Sequence, residues 1–290
     1  MNLREEFERK VIEPFIDAYG RGITPNPCIL CNRYIKFPYL LKIADERGAG
    51  YIATGHYART RNSDELAPVT HHSSLLLKGV DPKKDQSYVL YALGREELER
   101  LILPLGEFRK EEVREIARGL GLSSVDRPES QEICFAEEGK YFKLMEGLQG
   151  ADEGSLIDIA SGKVLGRHKG LYRYTLGQRK RLGVATGAPL YVVKIDPTEN
   201  AVYVGPKEHA MMREFDVEDV NWLIDRNLFP GKFRASVKVR STMRAEPATV
   251  TVLDERRARV VYDEPQWAPA PGQAAVFYEG DSVIGGGVIQ

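Results

Sequence analysis

The apolar residues near the start of the chain recur every three to four positions, which is the spacing of one helix face. These positions are Leu3, Phe7, Val11 and Phe15. The pattern predicts an amphipathic helix that Pro14 kinks or splits, because proline lacks the amide hydrogen that a helix interior needs. Further helices are predicted over Asn32–Arg47, Arg95–Leu103 and Arg109–Leu122.

A short apolar strand, Tyr51–Thr54, separates the second and third of these helices and runs directly into Gly55 and His56. A strand that ends in a small residue and a polar turn is typical of ligand sites in open α/β sheets, where ligands bind at the carboxyl ends of strands. The first part of the chain is therefore predicted to be α/β.

The pattern changes to strands near Gly150. Apolar alternation on both sides of Ser161-Gly162, and again around Asp196–Asn200, predicts two hairpins. Short strands at close spacing from Phe233 onward predict a small β-barrel or sandwich. We therefore predict three units, an α/β part over residues 1–143, a β-rich middle domain over 144–208 and a C-terminal β-barrel over 209–290.

The composition narrows the class of protein only slightly. The chain has 290 residues and a formal charge of −1, so its net charge gives no global signal for nucleic acid, although a local basic face remains compatible with it. No apolar run reaches the length of a membrane span, and the charged start does not resemble a secretory signal. We expect a cytoplasmic protein with no membrane partner.

Three cysteines carry the strongest chemical signal. Cys28 and Cys31 lie in a proline-rich turn that can direct both thiols to one place, and Cys134 lies far downstream. This set fits a relay in which one thiol carries a persulfide and another resolves it. It also fits an iron–sulfur cluster with three thiolate ligands, or a zinc site with a fourth ligand that the sequence does not show.

Other polar residues give weaker signals. His56 is interpreted as a hydrogen-bonded structural residue, and His71-His72 as part of a solvated loop over Arg59–Ser74. The densest basic stretch, which has tyrosines between its cations, is compatible with an RNA backbone. It contains Arg167, His168, Lys169, Arg173, Arg179, Lys180 and Arg181.

Several long motifs resemble those of one enzyme family. They are TPNPCILCNRYIKF from Thr24, YIATGHYAR from Tyr51, KDQSYVLYAL from Lys84, ESQEICF from Glu129, RYTLGQRKRLGV from Arg173 and the closing stretch from Pro247. In this order, and over essentially the whole chain, they resemble the tRNA-specific 2-thiouridylases. Enzymes of that family convert the C2 carbonyl of the wobble uridine to a thiocarbonyl. The resemblance implies an incomplete doubly wound, adenine-nucleotide-hydrolase-like sheet, then a central tRNA-binding domain and the barrel.

The resemblance also implies roles for individual residues. Cys31 matches the nucleophile, and Cys134 matches the cysteine that carries the persulfide sulfur. Asn26, Pro27 and Cys28 match the turn that contacts the target base. Many relatives have aspartate where this chain has Cys28, and that departure raises the alternative of a [4Fe-4S] cluster held by all three cysteines.

Further matches concern the substrates. Gly55 matches a glycine next to ATP, where the missing side chain permits close approach. The matches to tRNA-contacting segments are Lys84, Asp85 and Gln86, and in the barrel Arg240 and Ser241. The resemblance thus implies ATP as co-substrate, with Mg²⁺, and tRNA and a persulfide donor protein as partners.

One family motif is not found. The phosphate-binding string S-G-G-x-D-S is absent, and the only comparable glycine run, Gly285–Gly287, lies in the last predicted strand with no helix after it. We therefore expect that this polypeptide alone does not adenylate tRNA. Three explanations for the missing string compete. The chain is a fragment or has a mis-set start, it is half of a split enzyme, or it is a catalytically incomplete tRNA-binding remnant.

Overall fold

The computed structural model describes residues 2–62, 74–123, 125, 133–135, 144–145, 152–184, 187–225 and 231–290. Its helices are α1 Arg4–Phe7, α2 Glu13–Gly20, α3 Pro27–Cys31, α4 Phe37–Glu46, α5 Ser87–Leu90, α6 Arg95–Glu99 and α7 Lys110–Gly119. Its first strands are β1 Ile52–Ala53, β2 Ala58–Asn62, β3 Ser74–Lys78 and β4 Leu101–Ile102. The motif His71-His72 lies outside the described residues.

The first predicted helix is present, and a π-helical turn takes the place of a kink at Pro14. Residues Glu8–Ile12 form this wide turn between α1 and α2, and Pro14 occupies the first turn of α2. Proline is tolerated there because the first amides of a helix have no partner within it. Phe15 and Val11 are fully buried, so the predicted apolar face is the buried one.

The α/β part contains a two-stranded parallel sheet in which Ile52 pairs with Leu101 and Ala53 with Ile102. The prediction of a helix through Leu103 is therefore wrong at its end, since α6 stops at Glu99 and β4 follows. Pairing with a strand fifty positions away overrides the local helical spacing. The prediction of a loop over Arg59–Ser74 is also wrong at both ends. Arg59 to Asn62 lie in β2 and Ser74 lies in β3, and these two strands pair antiparallel.

The middle domain is a four-stranded sheet, and both predicted hairpins are confirmed. Its strands are β5 Glu153–Asp158, β6 Val164–Lys169, β7 Tyr191–Asp196 and β8 Ala201–Gly205, in the order β6-β5-β8-β7. Gly162 and Asn200 have φ of +68° and +46° in the two turns. Asp196 accepts the amides of Thr198 and Glu199, each at 3.1 Å, which closes the second turn.

The C-terminal strands form a closed six-stranded barrel, as predicted. They are β9 Met211–Trp222, β10 Lys232–Lys238, β11 Glu246–Val252, β12 Ala258–Trp267, β13 Ala274–Glu279 and β14 Ser282–Ile289. The order is β13-β10-β11-β12-β9-β14, and β13 pairs with β14 to close the ring. The β2–β3 hairpin extends this sheet through Leu77 beside Ser282. Strand β9 was not predicted, because charged outward positions interrupt its apolar alternation.

One hydrophobic core runs through the α/β part and into the barrel. Phe37 and Leu41 of α4, and Tyr88 and Leu90 of α5, pack in the same cluster as Val276 of β13. Ile29 of α3, the helix that carries Cys28 and Cys31, belongs to the same cluster, so this helix packs on a core that the barrel shares. Among the described residues, no helix is long and apolar enough to cross a membrane.

Candidate active site

Cys28 and Cys31 lie in helix α3, whereas the prolines had suggested an irregular turn. Asn26 caps the helix, because its side-chain oxygen accepts the amide of Cys28 at 3.2 Å. Pro27 occupies the first helical position, where its fixed φ favours the helix. A spacing of three residues on a helix puts the two cysteines on one face. The predicted base-contacting residues Asn26, Pro27 and Cys28 thus form a helix N-terminus.

A second π-helical turn, Asn32–Lys36, follows Cys31 directly and leads into α4. Such wide turns are frequent at functional sites. The side-chain amide of Asn32 donates to the carbonyl of Val89 at 3.0 Å, and Asn32 is almost fully buried. We call residues Thr24–Lys36, which hold both cysteines and this turn, the cysteine segment.

Cys134 lies within the range of electrostatic interaction with both cysteines of this segment. The thiol of Cys134 is exposed and interacts electrostatically with the thiols of Cys28 and Cys31. Its neighbour Phe135 packs edge-to-face on Phe7 and Phe15, with ring centroids 5.6 and 5.4 Å apart. Aromatic packing on the first helices therefore holds the downstream cysteine beside the cysteine segment.

All three cysteines are free thiols in the described part of the chain. Burial and a nearby cation act in opposite directions on the pKa of Cys28 and of Cys31. Burial is the largest influence on Cys28 and Cys31 and raises the pKa of each thiol. The Lys36 ammonium acts in the opposite direction on both, and the Lys36 amide also donates to the Cys31 sulfur. Lys36 is thus the cation that favours the thiolate forms.

His56 ties Lys36 to the end of strand β1. The Lys36 ammonium lies 3.3 Å from His56 Nε2, and His56 Nδ1 lies 2.8 Å from the hydroxyl of Thr54. The imidazole also stacks on Phe37, with centroids 5.7 Å apart. Burial, reinforced by Lys36, lowers the pKa of His56 to about 4. A neutral ring accepts from Lys36 at Nε2 and donates to Thr54 from Nδ1, so the hydrogen-bonded histidine that was predicted also orients a cation.

Gly55 lies exposed between Thr54 and His56 at the carboxyl end of β1. A Cβ atom at this position would meet only Leu105, at 3.6 Å, which is ordinary contact. The backbone here is open to an approaching molecule, which fits the implied position next to ATP, although the local packing alone does not require glycine.

The two segments implied in tRNA contact lie against each other. Asp85 and Lys238 form a buried ion pair at 3.7 Å, and the Tyr88 hydroxyl donates to the Val239 carbonyl at 3.3 Å. Lys84 is half-buried and Ser241 is exposed on this seam between α5 and the barrel. The structure therefore brings Lys84–Gln86 together with Arg240 and Ser241.

Within these segments, three of the implied contacts have internal partners. Asp85 accepts the amides of Gly79 and Ser87, each at 3.1 Å, and Gln86 accepts the amide of Tyr57 at 2.9 Å. Arg240 donates to the carbonyls of Leu176 and Ala268 at 2.7 and 2.9 Å. These internal hydrogen bonds brace the seam between α5 and the barrel.

The basic stretch of the middle domain divides into a buried and an exposed part. His168 is fully buried, accepts the Gly170 amide at Nδ1 and lies 3.0 Å from the Asn200 carbonyl, and burial lowers its pKa. It is therefore neutral and does not belong with the cations. Arg179, Lys180 and Arg181 are exposed on one loop beside a cavity of about 470 Å³.

Among the described residues, no group of three or more histidine, cysteine, aspartate or glutamate side chains is arranged to hold a metal ion. All three cysteines lie in that described part. The three cysteines therefore do not form a ligand set for the [4Fe-4S] alternative or for a zinc site.

Sequence comparison identifies the family. Residues 1–138 match the model described as the tRNA methyl transferase HUP domain, 143–206 its PRC-barrel domain, and 212–289 the aminomethyltransferase beta-barrel domain. The tRNA-specific 2-thiouridylase MnmA of Carboxydothermus hydrogenoformans is 47% identical over the whole chain, which covers 78% of that protein. The chain belongs to the tRNA-specific 2-thiouridylase family. The enzymes of that name from Solibacter usitatus and Moorella thermoacetica are 44% and 47% identical, with 79% and 80% of their lengths covered.

Two of the matching domain models are described as tRNA methyl transferase domains, whereas the relatives are named 2-thiouridylases. The cysteines of the site agree with the thiouridylase name. Two thiols beside one lysine, with a third thiol in electrostatic contact with both, are suited to moving sulfur between cysteines. Sequence reasoning missed Lys36 and Thr54 as parts of this site. Lys36 lies five residues after Cys31, and in an α-helix this spacing would not indicate that the two residues interact. They do so here because the π-helical turn is wider than an α-helical turn.

Proposed function

We propose that this protein is a tRNA-uridine 2-sulfurtransferase that uses a persulfide on Cys134 and the thiolate of Cys31. The observation that carries the proposal is the shared neighbourhood of Cys31 and Cys134 beside Lys36. Family membership supplies the substrate class, a uridine in tRNA. The proposed catalytic residues are Cys31 and Cys134, and Asn26, Pro27 and Cys28 are proposed to contact the base.

The first step is delivery of sulfur to Cys134. A donor protein with a cysteine persulfide transfers its outer sulfur to the Cys134 thiolate, so that the donor leaves as a thiolate and Cys134 becomes a persulfide. The exposure of Cys134 supports this role, because a second protein must reach its sulfur. Cys31 is half-buried and is less accessible to a macromolecule.

The uridine C2 oxygen must be converted to a leaving group before sulfur can replace it. ATP, as its Mg²⁺ complex, would supply AMP for this purpose and release pyrophosphate. The open backbone at Gly55, on the same strand end as His56, supports a position for the nucleotide beside the cysteine segment. The HUP class of the matching domain supports the use of ATP.

Sulfur transfer then needs both cysteines. The outer sulfur of the Cys134 persulfide bonds to C2, and AMP leaves with the former carbonyl oxygen. The Cys31 thiolate attacks the inner sulfur of Cys134, which breaks the S–S bond and leaves the thiocarbonyl on the uridine. The products are 2-thiouridine and a Cys31–Cys134 disulfide, which two electrons from an external thiol reduce. Lys36 stabilises the attacking thiolate.

Contact with tRNA is proposed for two surfaces. The exposed cations Arg179, Lys180 and Arg181 would bind phosphates, and the seam at Lys84 and Ser241 would add a second contact. Asp85, Gln86 and Arg240 were implied as contacts too, and we propose that they act by holding the seam in shape. The internal bonds of these three residues support that division.

The test is formation of 2-thiouridine. Because the string S-G-G-x-D-S is absent from this sequence, the protein is supplemented with a polypeptide that carries this string. The mixture is incubated with ATP, Mg²⁺, a tRNA transcript and a persulfide donor, and the digested nucleosides are quantified by mass spectrometry. We expect Cys31→Ser and Cys134→Ser each to abolish the product, and Cys28→Ser to retain it. Cys134→Ser should also lose the added sulfur atom on the intact protein. Undiminished thiolation by either serine variant would overturn the proposal.

A further inference from the structure

The C-terminal barrel holds the cysteine segment at both of its ends. At the front end, the Thr24 amide donates to the Pro271 carbonyl at 2.9 Å, and the Gln273 side-chain amide donates to the Thr24 carbonyl at 2.9 Å. At the far end, Arg33 forms an ion pair of 2.6 Å with Asp219 of β9. Cys28 and Cys31 lie between these two attachments.

Both attachments use backbone conformations that favour particular residues. Gly272, beside Gln273, has a φ of +85°, and a Cβ atom there would lie 2.1 Å from the Ile23 side chain. Asp219 has a φ of +51°, which non-glycine residues other than asparagine and aspartate seldom adopt. At Gly272 the barrel therefore packs closely against Ile23 and against Thr24, whose carbonyl oxygen would lie 3.1 Å from a Cβ atom there.

The attachments add to two local supports of the segment, the Asn26 cap and the bond from Asn32 to the Val89 carbonyl. Asn26 supplies one cap, and the π-helical turn after Cys31 has a wider, less regular hydrogen-bond pattern than an α-helix. Where Cys31 points therefore depends on how its two flanks are held. Asp219 also pairs with Arg256, so its carboxylate is fixed from the barrel side.

We propose that Gln273 and Asp219 are positioning residues that set the Cys31 thiol in line with Cys134. The barrel is then part of the construction of the active site, in addition to any contact with tRNA. The inference rests on the proposed function only in assigning a use to the Cys31–Cys134 pair. The placement of the thiols can be measured without tRNA or ATP.

The first measurement is the equilibrium between the Cys31–Cys134 dithiol and glutathione disulfide, in a Cys28→Ala background so that only one pair forms. Cys31 and Cys134 lose two electrons and two protons to one glutathione disulfide, which gives two glutathione thiols. We expect Gln273→Ala and Asp219→Asn each to weaken this disulfide about fivefold, the factor that loss of about 1 kcal/mol of positioning would give. That factor corresponds to about 20 mV in reduction potential.

The chain offers a matched control for each variant. Gln266 is another half-buried barrel glutamine, and its side chain reaches only the Glu264 carbonyl. Asp216 is another half-buried β9 aspartate, and it pairs with Arg259 on the barrel surface. We expect Gln266→Ala and Asp216→Asn to leave the disulfide potential unchanged. Thermal unfolding of all four variants shows whether any of them has lost stability in general. A change in disulfide potential is attributed to positioning only in variants that keep the parent stability.

Alkylation of Cys31 by iodoacetamide provides the second readout. We expect it to be about fivefold faster in Gln273→Ala and Asp219→Asn, because loss of a bond of about 1 kcal/mol frees a half-buried thiol. Test and control variants that are alike in both readouts would overturn the positioning role. A parent protein that forms no Cys31–Cys134 disulfide would instead refute the proposed relay, and the alkylation rates would still decide the role of the barrel.

Discussion

Lys36 shapes the electrostatic surroundings of both cysteines in helix α3. Its ammonium opposes the effect of burial on the pKa of both thiols and lies 3.3 Å from His56 Nε2, and the sequence interpretation assigned it no role. Its position depends on the widened turn after Cys31 and on a histidine twenty residues away. Neither can be derived from helical spacing, which is why the cysteines were predictable from the sequence and their electrostatic partner was not.

Replacement of Lys36 should slow the chemistry of Cys31. Lys36→Met removes the charge that opposes the effect of burial, so the pKa of the Cys31 thiol should rise further and less thiolate should be present near neutral pH. An interaction of up to about 1 kcal/mol predicts up to about a fivefold slower alkylation of Cys31 at pH 7. The measurement is alkylation rate against pH. Lys42→Met, an exposed lysine on α4, is the control and should leave the profile in place.

His56 should make the folded protein sensitive to acid. Its pKa is about 4 when folded against 6.5 for a free histidine, so between these values only the unfolded chain binds the proton. Stability should therefore be complete above pH 6.5 and decline as the pH falls toward 4. His56→Gln should flatten this decline in urea unfolding series, although buried His168 retains a share of it. Exposed His209→Gln serves as control, and an equal flattening by both variants would contradict the assignment.

At the scale of elements, local turn chemistry was predicted well and long-range pairing was not. The hairpins around Gly162 and Asn200 formed as expected, because a positive φ and a side-chain cap act within a few residues. Strand β4 was read as helix, and β9 was overlooked, since each depends on a distant partner strand. The same limit kept the attachment of the cysteine segment to the barrel out of the sequence interpretation.

The glycine run in β14 should prove structural. A Cβ atom at Gly286 would lie 2.7 Å from the Ala275 carbonyl and 2.8 Å from the Tyr91 ring. We expect Gly286→Ala to lower the free energy of unfolding by about 1 to 3 kcal/mol, the usual result of overpacking. Gly50→Ala, where the added atom meets nothing within 4 Å, is the control. Equal stability of the two variants in thermal unfolding would mean that β14 tolerates the crowding.

The loop with Arg179, Lys180 and Arg181 allows a test of RNA contact. Replacing all three by alanine should weaken tRNA binding and reduce its salt dependence by up to about 2 to 3 units of slope, at about 0.7 to 0.9 per phosphate. Arg234, Arg257 and Arg259 provide a matched triple, because each pairs with a barrel carboxylate. An unchanged slope in the loop variant would remove this surface from the interface.

At the scale of the whole molecule, partly buried polar contacts join the three parts, and the α/β part and the barrel also share a core. Thr24 of the cysteine segment reaches Thr175 of the middle domain at 3.4 Å and the barrel through Gln273. Asn221 of β9 donates to the carbonyls of Tyr91 and Leu93 at 2.7 and 2.8 Å. Domain order was predictable from the change of periodicity, but these junctions are made by isolated polar residues that carry no sequence pattern.

A variant of Arg240 tests whether this arginine contacts tRNA or joins the barrel to the middle domain. Its guanidinium donates to Leu176 of the middle domain and Ala268 of the barrel, and burial lowers its pKa without removing its charge. We expect Arg240→Met to lower the free energy of unfolding by about 1.5 to 3 kcal/mol, the value of hydrogen bonds to a charged group. Binding to tRNA should weaken while its salt slope stays the same, because no phosphate contact is lost. Ser241→Ala, its exposed neighbour, should leave stability unchanged. A stable Arg240→Met with a slope reduced by about 0.9 would instead make this arginine a direct phosphate contact.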